Sequence, residues 1–184
     1  MSQRPINTAQ TTLCIRPAEA DDADAIWSIF HAVVAAGDSY VFAPDTPRDE
    51  ALAYWFGTGI ASFVAVDGER VLGLYRLVAN QRDLGSHVGN ASFMVDPAAH
   101  GRGVGRALGM HCLDEARRRG YRALQFNFVV STNTAAVALW KKLGFAIVGT
   151  LPQAFLHATL GYVDAYVMYR MLEEGPPAGT AVES

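Results

Sequence analysis

The stretch from Pro97 to Ala107 constrains this chain more than any other, because three glycines alternate in it, at positions 101, 103 and 105. It follows a strand that Asp96-Pro97 stops and opens into a helix starting at Gly103. Glycine admits positive φ and lets a ligand approach the backbone closely. A turn of this kind at a helix start points several unpaired N–H groups at one spot, where the helix dipole adds roughly half a positive charge. The result is an anion site suited to a pyrophosphate, with Arg102 and Arg106 as cationic neighbours. The bland alternative is a tight strand-to-helix turn, although a turn needs fewer glycines. Two nucleotide motifs are excluded. The dinucleotide fingerprint needs G-x-G-x-x-G, whereas here the spacing is G-x-G-x-G, and a Walker A loop needs a Gly-Lys-Ser/Thr that is missing.

The elements around the loop predict a single mixed α/β domain over residues 13–174. Leu13–Arg16 reads as a strand, and Asp21 or Asp22 caps a helix that Gly37 ends. Thr46 as cap and Pro47 at the first helical position start a second helix running to Trp55-Phe56. Ser62–Val66 and Val71–Val78 form a hairpin around Asp67–Arg70, and Gly89–Val95 is the next strand. Helix then alternates with strand: Gly103–Arg119, Arg122–Val130, Thr132–Leu143 and Phe145–Val148, with Gly120 and Gly144 closing the two helices. A connection, Gly149–Leu160, leads to a last strand, Tyr162–Met171. The polar residues 1–12 and the Gly/Pro/Ala-rich residues 175–184 are expected to be flexible tails.

Composition narrows the class of partner. Half of the chain is apolar (51%), enough for a core, and a net charge of -3 offers nothing to nucleic acid. No apolar run approaches the roughly 20 residues that span a bilayer, and Met1–Thr12 lacks the apolar stretch of a signal peptide. Two cysteines, Cys14 and Cys112, make no disulfide framework, so a reducing cytoplasm is expected. The five histidines lack metal-ligand spacing, and no metal is expected.

Phe93-Met94-Val95-Asp96-Pro97 followed by His100-Gly101-Arg102-Gly103-Val104-Gly105 resembles the acyl-CoA signature of the GNAT N-acetyltransferases, Gln/Arg-x-x-Gly-x-Gly/Ala after a strand. Ser131–Ala136 with Leu139-Trp140-Lys141-Lys142-Leu143-Gly144-Phe145 resembles the family's second motif. The resemblance implies a twisted, largely antiparallel sheet, splayed between Gly89–Val95 and Arg122–Val130, with acetyl-CoA as acyl donor. It implies that backbone groups at Phe93, Met94 and Val95 pair with the pantetheine, and that the amides of Gly101, Arg102, Gly103, Val104, Gly105, Arg106 and Ala107 hold the pyrophosphate. Asn133 is implied as a further cofactor contact. His100 departs from the usual Gln or Arg, a change that backbone contacts survive. Trp140, also expected against the cofactor, stands where many members carry a tyrosine that protonates the thiolate; an indole N–H donates a hydrogen bond but supplies no proton. Weaker help for the leaving thiolate is then expected from water or from a tyrosine on the last strand, Tyr162 or Tyr166. Family members are often dimers, so a homodimer is the assembly to test.

The acceptor nitrogen must lose a proton before it attacks, since a free amine has a pKa of roughly 8 or above. The strand Gly89–Val95 has no glutamate to act as base but offers Asn90, and Arg122–Val130 offers Asn127. Asparagine is depleted in strands, so these two either serve the chemistry or bond strand ends and bulges. With Phe126–Asn133, they make the chain similar to fungal acetyltransferases of proline analogues such as azetidine-2-carboxylate. That likeness implies direct attack by a small amino or imino acid, with asparagines holding a water that relays the proton. Two other readings stay open: acetylation of a protein N-terminus or drug-like amine, and an acyl-CoA-binding sensor without turnover.

Other features are given structural roles. Arg117-Arg118-Arg119 with Arg122 reads as a solvated helix end, Cys14 and Cys112 as packing residues, and His157 as a surface loop residue. Tyr40, Phe42, Tyr54, Trp55 and Phe56 either wall a substrate pocket or pack the core.

Overall fold

A computed structural model describes residues 13–172; the two expected tails lie outside the described residues. Seven strands form one sheet in the order β1-β2-β3-β4-β5-β7-β6. β1 (Cys14–Pro17), β2 (Ala61–Asp67), β3 (Arg70–Ala79) and β4 (Val88–Val95) pair antiparallel in turn. β5 (Ala123–Val130), β7 (Gly161–Met171) and β6 (Ala146–His157) do the same. The two halves meet at β4 and β5, which run parallel.

Helices cover both faces. α1 (Ala23–Ala35) turns Ile26, Ile29, Phe30 and Val34 inward at helical spacing, and with Ala51 and Trp55 of α2 (Arg48–Phe56) it buries Val64, Leu74 and Met94 of the sheet. On the opposite face, α3 (Val104–Arg118) packs Leu108, Cys112 and Ala116, and α4 (Thr134–Lys142) packs Trp140, against Leu72, Tyr75, Ala91, Leu124 and Phe126. β2 and β3 lie between these layers and are buried on both sides, which is why their sequences read as almost continuous apolar runs.

Several expected boundaries are corrected. The connection Gly149–Leu160 is mostly strand: β6 continues to His157 and pairs with β7 to Gly161, absorbing irregularities at Ile147/Gly149 and Leu151/Phe155, with Gln153 at φ 52. Pro152 has no N–H to give a ladder, but β6 is an edge strand, where proline is tolerated. Thr46 does not cap α2; its hydroxyl donates to the Ala43 carbonyl at 2.6 Å, and the extended Pro47 holds the cap position instead. Asp22 stands at the start of α1 without capping it. Its carboxylate accepts from the Glu19 N–H at 2.8 Å and pairs with Arg16 at 2.7 Å. Cys112 is buried, as a packing residue should be, whereas Cys14 is exposed. Arg118 and Arg119 are not simply solvated: both bind the buried carboxylate of Glu115 at 2.6 Å.

The feature that positions the site is the junction between halves. β4 and β5 share register at Val88↔Ala123 and Gly89↔Leu124 only, and beyond Gly89 the strands diverge. The expected splay is therefore present, opening from Asn90 towards the glycine loop.

Candidate functional site

Gly101 and Gly103 take φ of 76° and 80°, in the left-handed region, and Gly103 holds the cap position of α3. Gly105 is different: it lies inside the first helical turn, and its α-carbon faces Leu139 and Val95. Ala107 is the first residue of the segment whose N–H closes a helical bond, to the Gly103 carbonyl at 3.0 Å, and the Arg102 N–H reaches Ala99 at 3.4 Å. Those two amides are thus engaged inside the protein, which corrects the expectation that every amide from 101 to 107 is available. The amide of Gly101, before the helix, and those of Gly103, Val104, Gly105 and Arg106, at its start, have no partner among the described residues. Four free N–H groups on one helix start, on the dipole's positive end, are a cradle for a diphosphate. Arg102 is held by Asp67 at 2.9 Å, while Arg106 faces a shallow groove of about 420 Å³ shared with Lys142 and Arg170.

The splay supplies a second set of unpaired groups. Asn80 donates to the Val88 carbonyl and Asp96 to Leu72, so the even-numbered residues of β4 face β3. The alternation of a strand then turns the N–H and C=O of Ala91, Phe93 and Val95 towards the opening, whereas those of Met94 face β3, which corrects the expectation that the Met94 backbone meets the pantetheine. One of them has a partner: the Tyr40 hydroxyl donates to the Phe93 carbonyl at 2.7 Å. Burial pushes the Tyr40 phenol well above its ordinary pKa, so it stays protonated and donating. At the far end, Thr132 Oγ1 is buried without a partner, just before α4. An open backbone edge leading to a cradle of free amides fits a long, amide-bearing cofactor ending in a diphosphate. Asn133 caps α4, its Oδ1 accepting from the Ala136 N–H at 3.1 Å, which leaves Nδ2 to donate outward.

Asn90 and Asn127 lie on the face of the sheet covered by α1 and α2. Asn90 sits where the ladder ends, and its Nδ2 donates to the Gln125 carbonyl at 2.9 Å, satisfying a group that the departing strand leaves open. Asn127 lies at a bulge of β5, between Phe126 and Val129, and is exposed. Its Oδ1 accepts from Gln125 at 2.8 Å and its Nδ2 donates to Asn80 Oδ1 at 2.7 Å. The structure therefore brings both asparagines into one amide network spanning the splay, with Asn80 and Gln125 as members that sequence reasoning missed. Tyr54 extends the polar surface, its hydroxyl 2.5 Å from Ser92 Oγ. Arg76 was missed too, although a charge inside the run Leu74–Val78 of a buried strand was a signal.

Trp140 is 7% exposed and packs against Phe93, Phe126 and Phe145, with ring centroids 4.7, 4.8 and 6.2 Å away. It forms the floor beneath the splay on the α3/α4 side. Tyr166 is half-buried against the same core, whereas Tyr162 is 68% exposed. Of the aromatic set, Tyr40, Phe42 and Tyr54 pack in sequence, Trp55 is fully buried and Phe56 is exposed. His157 ends β6, where its ring accepts from the Thr159 N–H at 3.2 Å. Among the described residues no His/Cys/Asp/Glu group is placed to hold a metal, and no helix is long and apolar enough to cross a membrane.

Comparison with known proteins matches residues 27–145 to the acetyltransferase (GNAT) family, the span that holds both the cradle and the splay. The chain belongs to this family. A GCN5-related N-acetyltransferase from Kribbella flavida is 47% identical and superimposes with a TM-score of 0.83, over 86% of this chain and 97% of that one. YncA from Salmonella typhimurium, solved with its cofactor acetyl-CoA, is 26% identical at a TM-score of 0.79, over 92% and 99% of the two chains. Among curated relatives, the N-acetyltransferase aca1 of Schizosaccharomyces pombe is 36% identical over 53% of this chain. The [ribosomal protein bS18]-alanine N-acetyltransferase of Salmonella typhimurium is 32% identical over 65% of this chain and 84% of its own length. The chain spans about half the length of several curated relatives, including 47% of aca1 and 46% of a mycothiol acetyltransferase from Salinispora tropica.

Proposed function

We propose that this GNAT chain acetylates the amino or imino group of a small molecule by direct attack on acetyl-CoA, as the proline-analogue acetyltransferases do. The observation carrying this reading is the amide network of Asn80, Asn90, Gln125 and Asn127 where the splay begins, on the face opposite Trp140. Acetyl-CoA supplies an activated thioester. Gly103 to Arg106 would hold its diphosphate, Ala91, Phe93 and Val95 its amides, and Asn133 Nδ2 would donate to it from the start of α4. The network residues hold rather than accept the proton, because an amide is not basic at neutral pH. They position a water that takes the proton from the acceptor nitrogen and passes it to solvent through the exposed side of Asn127. The nitrogen then forms the new C–N bond as the C–S bond breaks. Tyr40, whose protonated hydroxyl bonds the Phe93 carbonyl at the open edge of β4, is the proposed hydrogen-bond donor to the departing sulfur, whereas Tyr162 is exposed.

The test is release of free thiol from acetyl-CoA by the purified protein across a panel of amines, with azetidine-2-carboxylate and proline analogues included. Turnover on these, with Asn127→Ala cutting turnover far more than CoA affinity, supports the reading. Tight CoA binding with no turnover on any amine supports a sensor instead. The name of the Salmonella typhimurium relative motivates a second reading, a protein N-terminus as acceptor. Alanine-terminated peptides in the same panel separate the two.

A further inference from the structure

On the face that carries the amide network, one arginine stands apart from the others. Arg76, on β3, lies opposite Ser92 of β4 and two residues from the Val78↔Asn90 pair, so its side chain shares a surface with Ser92 and Asn90. Its guanidinium carbon is 3.9 Å from the centroid of the Tyr54 ring, and Nη1 donates to the Tyr54 carbonyl at 2.7 Å. Its Nε is shut off from solvent and has no hydrogen-bond partner. Seven other arginines each pair with a carboxylate; among the described residues Arg76, Arg82, Arg106, Arg122 and Arg170 do not, and of these five only Arg76 has a buried side-chain N–H left without a partner. A half-buried cation without a counter-charge is costly, and a fold that keeps one has a use for it.

Part of that use is structural. Tyr54 is in the last turn of α2, where carbonyls lack helical partners, and Nη1 satisfies one of them. This engages one of five N–H donors, and with Nε shut off from solvent it leaves the Nη1/Nη2 end of the planar fork, whose geometry matches a carboxylate. The surroundings connect Arg76 to the open edge of β4. Its charge acts on the Tyr40 hydroxyl, opposing the upward pull of burial there, and that hydroxyl sits on the Phe93 carbonyl facing the splay. Tyr54, which stacks on the guanidinium, also holds Ser92.

We propose that Arg76 is the carboxylate-reading residue of the acceptor pocket, so that the acceptor is an amine or imine bearing a carboxylate beside its nitrogen. The proposal rests on the acetyl-transfer reading above and narrows its acceptor class. Tyr54 fixes the guanidinium plane by stacking, the acceptor carboxylate supplies the missing counter-charge, and the acceptor nitrogen is left towards Asn90 and the splay.

The experiment compares α-amino and imino acids with their carboxamides, which keep the amine and lose the charge, as acceptors of the full-length protein. Calorimetric titration of the same compounds into the CoA complex runs alongside. Wild type is expected to favour the acid over the amide by roughly 10- to 100-fold in kcat/KM, the range of a charge-assisted hydrogen bond. Arg76→Met should bring that ratio close to unity, chiefly by raising KM for the acid, with CoA affinity little changed. Arg76→Lys keeps the charge and the contact to α2 but not the fork; it should lose most of the preference and serves if the methionine variant does not fold. Equal use of acids and amides by wild type, or an unchanged ratio in Arg76→Lys and Arg76→Met, overturns the proposal while leaving acetyl transfer intact. Arg76-dependent binding of the acids without turnover on any amine supports the subsite and removes the acetyl-transfer reading.

Discussion

Replacing Gly103 and Gly105 separately by alanine tests whether the loop works by backbone conformation. A Cβ at Gly103 would meet nothing within 4 Å, so Gly103→Ala introduces no clash. It does force alanine to φ 80°, in a left-handed conformation that costs a non-glycine residue roughly 1–2 kcal/mol. For a domain of this size each kcal/mol lowers Tm by roughly 2–4 °C, so a fall of about 2–8 °C is expected. Any relaxation that relieves the strain rotates the Gly103 and Val104 amides out of the cradle. Losing one hydrogen bond to a charged group costs about 1.5–3 kcal/mol, and CoA affinity should therefore drop roughly tenfold or more. Gly105→Ala should behave in the opposite way. Its new Cβ would sit 3.5 Å from Leu139 Cδ2 and 3.8 Å from Val95 Cγ2, ordinary contacts on the inner side of α3. Alanine is favoured over glycine in a helix by up to about 1 kcal/mol. Tm should hold or rise by a few degrees, and CoA affinity should stay close to wild type. Thermal melts with and without CoA, and calorimetric titration, read both quantities. Wild-type behaviour of Gly103→Ala, or an equal loss from Gly105→Ala, would refute the division of labour.

Three further outcomes are expected. Asn133→Ala removes the cap of α4 and should cost about 1 kcal/mol, seen as a Tm fall of roughly 2–4 °C, together with weaker CoA binding by calorimetry. The Arg16 guanidinium and the Glu19 N–H hold the Asp22 carboxyl below its ordinary pKa. Its contribution is therefore complete above the unfolded value of about 3.9 and is lost as pH falls through the folded one. Asp22→Asn should lower stability by about 1–2 kcal/mol at neutral pH in denaturant melts, and the gap to wild type should close in acid. Trp140→Ala should destabilise by about 3–5 kcal/mol, as expected for a large aromatic side chain removed from a core; Trp140→Phe should lose far less, and a thiol-release assay on that folded variant should retain turnover, since the indole supplies no proton.

The glycine spacing, the period of the apolar residues and the closing glycines at 37, 120 and 144 are local signals. They act within one turn or one strand, and each of those glycines does adopt the left-handed φ that its position implied. For that reason the element order, the mixed sheet and the glycine-opened start of α3 were legible in the chain itself. Local signals misread β6, because Gly149 and Pro152 look like a loop until β7 is beside them to pair with a bulged edge. They also treated Gly103 and Gly105 alike, since only the docking of α3 on Leu139 and Val95 separates the two.

Long-range packing decided the rest. Asn90 and Asn127 sit on two strands and Asn80 just past the end of a third, and nothing in their sequence spacing says that two of them share a hydrogen bond across 47 positions. Tyr40 meets Phe93, and Arg76 meets Tyr54, only because α1 and α2 fold back over the splayed sheet. The loop proposed to bind the diphosphate is backbone chemistry, determined by residue type over a few positions. The proposed acceptor side is assembled from side chains brought together by tertiary structure, and so only the folded chain displays it.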